Sequence, residues 1–218
     1  MTSRASIVVY YDVVSPYSYF GVSLLNRYKA QWKDVDVVFR PTLLVGIHNE
    51  SKNQPPASVA AKGAYMIADV HQMSALSGVP FSFPSKFPLA TIHAMRLLVV
   101  VQEQAADKYE QCMNTDAYWC KDEDVSKSEV LVKVLAPVLG SEAKVQELLA
   151  MSVQKENKQK LIDNTNEAVA AGAFGAPSFV VRKAGADQDD FALFFGGDRL
   201  ELLAAYLGVP YPGFAAKL

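Results

Sequence analysis

Ser6-Ile7-Val8-Val9-Tyr10-Tyr11-Asp12-Val13-Val14-Ser15-Pro16-Tyr17-Ser18 is the stretch whose reading decides the fold. Ser6 to Val13 is rich in β-branched and aromatic residues and reads as a buried strand, clearest over Ile7 to Tyr11. Ser15 is a good N-cap and Pro16 is favoured at the first helical position, so a helix opens there. Tyr17, Phe20, Leu24, Tyr28 and Trp32 then recur at three- or four-residue intervals, which predicts one apolar stripe on a helix from Pro16 to about Trp32. Asp36 to Arg40 reads as a second strand, ended by Pro41. Strand, helix and strand in this order predict a parallel βαβ unit with a right-handed crossover.

The pattern then changes. Leu44 to Pro56 reads as a polar loop, with Gly46, Asn49, Asn53 and two prolines, and Pro80 to Pro88 as a second loop. From about Leu89 to Ala173 the periodicity is helical. Helices are expected over Leu89 to Ala105, Lys108 to Lys121, Lys127 to Leu139, Glu142 to Met151 and Val153 to Ala171, with Ser126 and Ser141 as caps. Strands return at Ser178 to Arg182 and Phe191 to Phe195. The short polar link Gly185 to Asp190 predicts an antiparallel hairpin. Gly196-Gly197 leads to a last helix, Asp198 to Leu207. The predicted fold class is α/β: βαβ and ββα units from the two ends of the chain, interrupted by an all-helical insertion. Residues 1–45 and 172–218 would form the discontinuous first domain, and 46–171 the insertion. A turn ahead of a helix, faced by a distant proline before a strand, is similar to the plan of a thioredoxin-type active site. Here serines stand at both ends of Ser15-Pro16-Tyr17-Ser18, so the site cannot form its own disulfide.

Composition narrows the functional classes. The chain has 218 residues, half of them hydrophobic, enough for a sizeable core. A net charge of −2 gives no reason to expect nucleic acid or an anionic membrane as partner. No apolar run approaches the roughly 20 residues that span a bilayer, and Met95 to Val101 reads as a buried helix. Cys112 and Cys120 fit neither a redox pair nor a zinc pair and read as buried thiols of a reducing compartment. His48, His71 and His93 are scattered without metal spacing, so no metal site is expected. Neither a secretory signal nor a cleavable presequence is expected at the start. The ending Ala216-Lys217-Leu218 is a near match to the Ser-Lys-Leu peroxisomal address.

Three short segments carry the chemistry. As an isolated feature Ser15 is a helix cap. At a helix N-terminus, where free N–H groups and partial positive charge gather, its hydroxyl also becomes a donor to a bound thiolate. That stabilises the ionised sulfur, which is the nucleophile. A serine hydroxyl is too basic to attack unaided, so Ser15 is expected to donate a hydrogen bond, not to form a covalent intermediate. Pro177 stands just before a strand. A cis peptide after Ala176 would offer the Ala176 N–H and C=O to an extended ligand. Gly196-Gly197 allows close backbone approach, and Asp198 reads either as an N-cap or as a partner for a ligand ammonium group. Tyr65, Phe81, Phe83 and Phe87 are core residues by default and a hydrophobic substrate wall otherwise.

Taken in order, these segments resemble the kappa-class glutathione transferases. The matching runs are Tyr11-Asp12-Val13, Ser15-Pro16-Tyr17-Ser18, Arg40-Pro41, Gly46-Ile47, Asn53-Gln54-Pro55-Pro56, Lys62-Gly63 and Ala94-Met95-Arg96. Gly172 to Pro177, Phe195 to Arg199 and Glu201-Leu202-Leu203 complete a collinear set across nearly the whole chain. The resemblance implies a thioredoxin-like domain with a helical insertion, relatedness to bacterial disulfide oxidoreductases and to 2-hydroxychromene-2-carboxylate isomerases, and a detoxifying transferase. It implies glutathione as co-substrate with no other cofactor, a small electrophile as second substrate, a homodimer, and a mitochondrial or peroxisomal location. Ser15, with Pro16 and Tyr17 beside it, would contact the glutathione sulfur, and Asn53 and Lys62 the glycine end. Ala176, beside Pro177, would pair with the cysteinyl backbone, and Gly197 and Asp198 would hold the γ-glutamyl group. Many family members carry a larger aliphatic residue in place of Ala176 and Ser in place of Gly197. Two alternatives remain at this level: a glutathione-dependent isomerase of the 2-hydroxychromene-2-carboxylate type, and a non-catalytic thioredoxin-like binding module.

Overall fold

Burial alternates along the first strand, β1 (Ala5–Tyr11), with Ile7 and Val9 fully enclosed, so one face of a sheet is set at the start of the chain. In the computed structural model, which describes residues 3–113 and 116–214, β1 is followed by α1 (Pro16–Lys29) and β2 (Val35–Pro41). β1 and β2 run parallel, with Ile7 opposite Val37. β3 (Ser178–Arg182) pairs antiparallel with β1 on its other side, and β4 (Ala192–Phe195) pairs antiparallel with β3. The sheet order is therefore β2-β1-β3-β4, with strands from both ends of the chain side by side. This is the thioredoxin-like arrangement. The helices between β2 and β3 interrupt it: α2 (Leu44–Ser51), α3 (Ala60–Ser77), α4 (Ile92–Gln104), α5 (Tyr109–Met113), α6 (Ser128–Leu139), α7 (Glu142–Ser152) and α8 (Lys155–Ala170). α9 (Leu200–Leu207) closes the chain's last unit.

One apolar cluster runs from the sheet into the insertion. Ile7, Val9, Phe20, Leu24, Tyr28, Phe179 and Leu203 join Met95, Leu97, Leu131 and Leu148 without a break. Each such fully buried side chain contributes about 1.5–3 kcal/mol, so α1 is held firmly between sheet and helices. The opposite sheet face has a smaller cluster, Tyr10, Ile47, Ala168, Ala173 and Val180, under α2 and α8.

Several expectations are corrected. The segment Leu44 to Pro56 is not wholly loop: α2 forms because Gly46 lets α8 approach closely. A Cβ there would sit 3.0 Å from Thr165 Cγ2. α3 was not anticipated, although Met66, Val70, Met73 and Ser77 form a buried stripe at helical spacing and Gly78 ends it. A continuous helix from Lys108 to Lys121 does not occur. α5 spans Tyr109–Met113, and Ala117 to Lys121 is turn that carries Tyr118 and Trp119 into the core. α1 ends at Lys29, and Trp32 reaches the core from the following turn, its indole N–H on the Pro210 carbonyl. Ser126 does not cap α6. Its hydroxyl bonds the Asp124 carboxylate, while Ser141 does cap α7 by accepting from the Lys144 N–H. The cap of α9 is Arg199, not Asp198. Cys112 is buried, but Cys120 is only partly so. The ending Ala216-Lys217-Leu218 lies outside the described residues.

Candidate active site

Ser15 sits at the junction of sheet and helix as its sequence demands. It caps α1 by accepting from the Ser18 N–H at 3.1 Å, and its own N–H closes a turn on the Asp12 carbonyl at 3.0 Å. The Tyr19 N–H returns to the Ser15 carbonyl at 3.1 Å, and Pro16 has no N–H. The Tyr17 amide is therefore the donor of this first turn left without an acceptor among the described residues. It points the positive end of the helix toward whatever lies beside Ser15.

The Ala176–Pro177 loop lies against this turn, and its peptide is cis. The Ser15 hydroxyl donates to the Ala176 carbonyl at 2.8 Å, so its proton is engaged there. The loop before α9 completes the layer, with the Gly196 N–H on the Pro177 carbonyl at 3.1 Å. Gly21 and Gly197 let α1 touch both loops. A Cβ on Gly21 would lie 3.1 Å from Gly197 Cα and 3.2 Å from Pro177 Cγ. Asp198 stands half-exposed at the end of this loop, 3.7 Å from the Arg199 guanidinium. Ser15, Tyr17, Ala176, Pro177 and Gly197, far apart in sequence, thus meet in one place.

Lys62 and Asn53 approach from the insertion. Tyr17, Pro56, Ala61, Lys62, Tyr65 and Met66 line a groove of about 340 Å³ between α1 and α3. The Tyr17 hydroxyl donates to Asp69 of α3 at 2.7 Å. Burial first, and then the Asp69 carboxylate, raise the Tyr17 phenol well above its ordinary value, so it stays protonated. The Asn53 side-chain amide donates to the Phe174 carbonyl at 2.7 Å and anchors the segment before Ala176. Tyr65 is on the groove wall. Phe81, Phe83 and Phe87 instead pack around Trp119, with Phe81 stacked on the indole at 5.4 Å. Beneath α1 lies a smaller apolar cavity of about 50 Å³, bordered by Ser18, Tyr19, Cys112, Trp119 and Leu131 among others. The buried Ser18 hydroxyl has no hydrogen-bond partner among the described residues.

Burial pushes the Cys112 thiol up to about 11, and it is protonated at neutral pH. It cannot supply the nucleophile. His48 is shifted below its usual value by burial and lies in α2. Among the described residues no cluster of His, Cys, Asp or Glu could hold a metal ion. Sequence reading quotes Asp12 only within a matching run and gives it no role. Val14, Leu44 and Thr91 all donate to its buried carboxylate. The signal available was a charged residue between a buried strand and a helix cap.

The model of the DSBA-like thioredoxin domain matches residues 6–208. Glutathione S-transferase kappa 1 of Rattus norvegicus is 34% identical over 212 residues, covering 94% of this chain and 92% of the relative. The 2-hydroxychromene-2-carboxylate isomerase of Sphingobium xenophagum is 26% identical, covering 93% of this chain and 97% of that protein. Among solved structures, a 2-hydroxychromene-2-carboxylate isomerase superposes with a TM-score of 0.75 at 19% identity, covering 93% of this chain and 94% of that one.

Proposed function

Because the chain belongs to the DSBA-like thioredoxin family, among its kappa glutathione S-transferases, we propose that it holds the glutathione thiolate at Ser15 and conjugates it to small electrophiles. It is a glutathione transferase by that membership. The observation that carries the finer reading is the Ser15 hydroxyl beside the unengaged Tyr17 amide at the start of α1.

The hydroxyl now donates to a neutral carbonyl, a bond contributing about 1 kcal/mol, whereas a bond to an ionised acceptor contributes about 1.5–3 kcal/mol. An arriving thiolate therefore draws the proton away from Ala176. The freed Ala176 carbonyl accepts the peptide N–H of the ligand's cysteinyl residue. The gain of about 1 kcal/mol for the charged form lowers the sulfur pKa by about one unit. The thiolate then forms the S–C bond and the electrophile's leaving group departs with the electron pair. Lys62 on the groove wall meets the glycine carboxylate, and Asp198 the γ-glutamyl ammonium, with the Gly197 backbone beneath it. Asn53 acts by holding Phe174, and thereby the Ala176 loop, in place.

For Ser15→Ala, the bound thiol is expected to titrate about one unit higher, with kcat/KM at neutral pH about tenfold lower. Thiolate absorbance of the complex against pH measures this, and an unchanged titration removes the serine from the mechanism. The alternative is that the same thiolate adds to a double bond and leaves again after isomerisation, as the likeness to the isomerase suggests. Parallel assays of conjugation and of 2-hydroxychromene-2-carboxylate conversion separate the two.

A homodimer is supported by the outward face of α3. Leu76 and Ile67 of α3 are large apolar side chains left exposed beside several alanines, and exposed apolar surface of this kind can mark an interface. Sedimentation is expected to give twice the 23.8 kDa chain mass, and Leu76→Glu to shift it toward one chain. A single-chain mass for the unmodified protein at micromolar concentration refutes the dimer.

A further inference from the structure

Asp12 is 1% exposed and has no ion-pair partner among the described residues. Burial raises its carboxyl above the ordinary value, and three donors offset part of that. Oδ1 accepts from the Val14 N–H at 3.0 Å and from the Thr91 hydroxyl at 2.7 Å. Oδ2 accepts from the Leu44 N–H at 2.8 Å. Leu44 is the first residue of α2 and Thr91 immediately precedes α4. The main-chain carbonyl of Asp12 takes the Ser15 N–H. Val13, between Asp12 and Ser15, is tied as well. The Val13 carbonyl accepts from the Trp119 indole at 2.9 Å, and the Val13 N–H rests on the Met95 sulfur at 3.5 Å. Apart from the Val14 N–H and the turn's own closure, these ties end on the segment between β2 and β3: Leu44 opens α2, and Thr91, Met95 and Trp119 lie in the insertion.

We propose that Asp12 is a positioning residue for Ser15: it clamps the turn before α1 to the N-terminal ends of α2 and α4, so that the insertion sets where the Ser15 hydroxyl points. The carboxylate never touches the sulfur. It acts by making the turn rigid, since Val14 and Ser15 both donate to the one residue and that residue is pinned from two helices. This rests on the reading of Ser15 as the thiolate's donor.

Asp12→Asn tests it. An amide can offer its oxygen to Val14 and Thr91 or to Leu44, never to both, so at least one tie becomes donor facing donor. The bound glutathione thiol is expected to titrate higher by half a unit to one unit, roughly three- to tenfold less thiolate at a pH below its pKa, with KM for glutathione changing less than kcat. The sign is diagnostic. Removing a nearby negative charge acting directly on the sulfur lowers the thiol pKa; loosening Ser15 raises it. In a Ser15→Ala background Asp12→Asn is expected to have no further effect, because the path to the sulfur is already cut. A shift in Ser15→Ala with none, or a downward one, in Asp12→Asn overturns the positioning role alone. An equal upward shift in both backgrounds also overturns it. No shift in Ser15→Ala overturns the serine reading and this inference with it. If Asp12→Asn does not fold, Thr91→Val removes one tie at nearly constant volume, and the same sign and the same silence in Ser15→Ala are expected.

Discussion

Gly197→Ala is expected to lower the stability of the fold by about 3 kcal/mol, at the upper end of what an overpacked methyl group costs. A Cβ at this position would lie 2.5 Å from the Tyr17 carbonyl oxygen, 2.9 Å from the Gly21 nitrogen and 3.2 Å from Gly21 Cα. All three are backbone atoms of α1, so no rotamer change relieves the contact. The φ of Gly197 is outside the left-handed region, and the cost is steric, not torsional. α1 must move away from the loop before α9, and Ser15 moves with it. For a chain of this size each kcal/mol lowers Tm by about 2–4 °C, so a fall of about 6–12 °C is expected in thermal unfolding. Gly78→Ala is the control. No atom lies within 4 Å of a Cβ there, and only its φ of +67° opposes a side chain, worth about 1–2 kcal/mol. A Gly197→Ala melt within about 2 °C of the unmodified protein would mean that the glycine contact is not tight. The same contact would oppose a serine at this position in this chain, since its Cβ would meet the Tyr17 carbonyl.

Trp119→Ala is expected to cost about 3–5 kcal/mol, the usual range for deleting a buried large aromatic. Trp119 is 2% exposed, stacks on Phe81, and packs its ring against Phe83, Phe87 and Tyr118, with Tyr118 at 4.5 Å between centroids. Its indole N–H satisfies the Val13 carbonyl two residues before Ser15. Trp119→Phe separates the contributions. It keeps most of the ring contacts but leaves the carbonyl unpaired, which costs about 1–3 kcal/mol. Urea unfolding of both variants is expected to order them unmodified, Phe, Ala by midpoint. Equal losses for Phe and Ala would show that the hydrogen bond, and not the aromatic packing, is what the tryptophan contributes.

How far the sequence could be read follows from where the information lies. β1 and β3 carry dense β-branched runs, and their pairing faces are stated locally by the residues themselves. The start of α1 is equally local, because a serine cap followed by proline needs nothing beyond its neighbours to open a helix. α2 was hidden for the opposite reason. Its eight residues include Gly46 and Asn49, poor helix formers, and it exists because Asp12 receives its first amide and α8 packs against its glycine. α3 was overlooked because only one narrow stripe of it is buried, so its many outward apolar residues blur the period. The region after Met113 read as helix because its apolar spacing suits one. Tyr118 and Trp119 are there to reach the aromatic cluster and the Val13 carbonyl, and a turn does that better.

The site divides in the same way. Ser15, Pro16, Tyr17, Ala176, Pro177 and Gly197 could be named from short motifs because each motif answers a local backbone need: a cap, a helix start, a strand entry, a close approach. Their meeting, the engagement of the Ser15 hydroxyl by Ala176 and the use of Asn53 as an anchor for Phe174 depend on distances between segments more than 100 residues apart. The chain alone determined the order of the strands, the start of α1 and the kind of chemistry a serine at a helix N-terminus can offer, since these arise from side-chain shape and backbone preference over a few neighbouring residues. Only the folded molecule decided which donor is left free, what holds the turn, and why a glycine rather than a serine faces Tyr17, since each of these is a competition for one acceptor or one small volume among residues the chain brings together from its two ends and its middle.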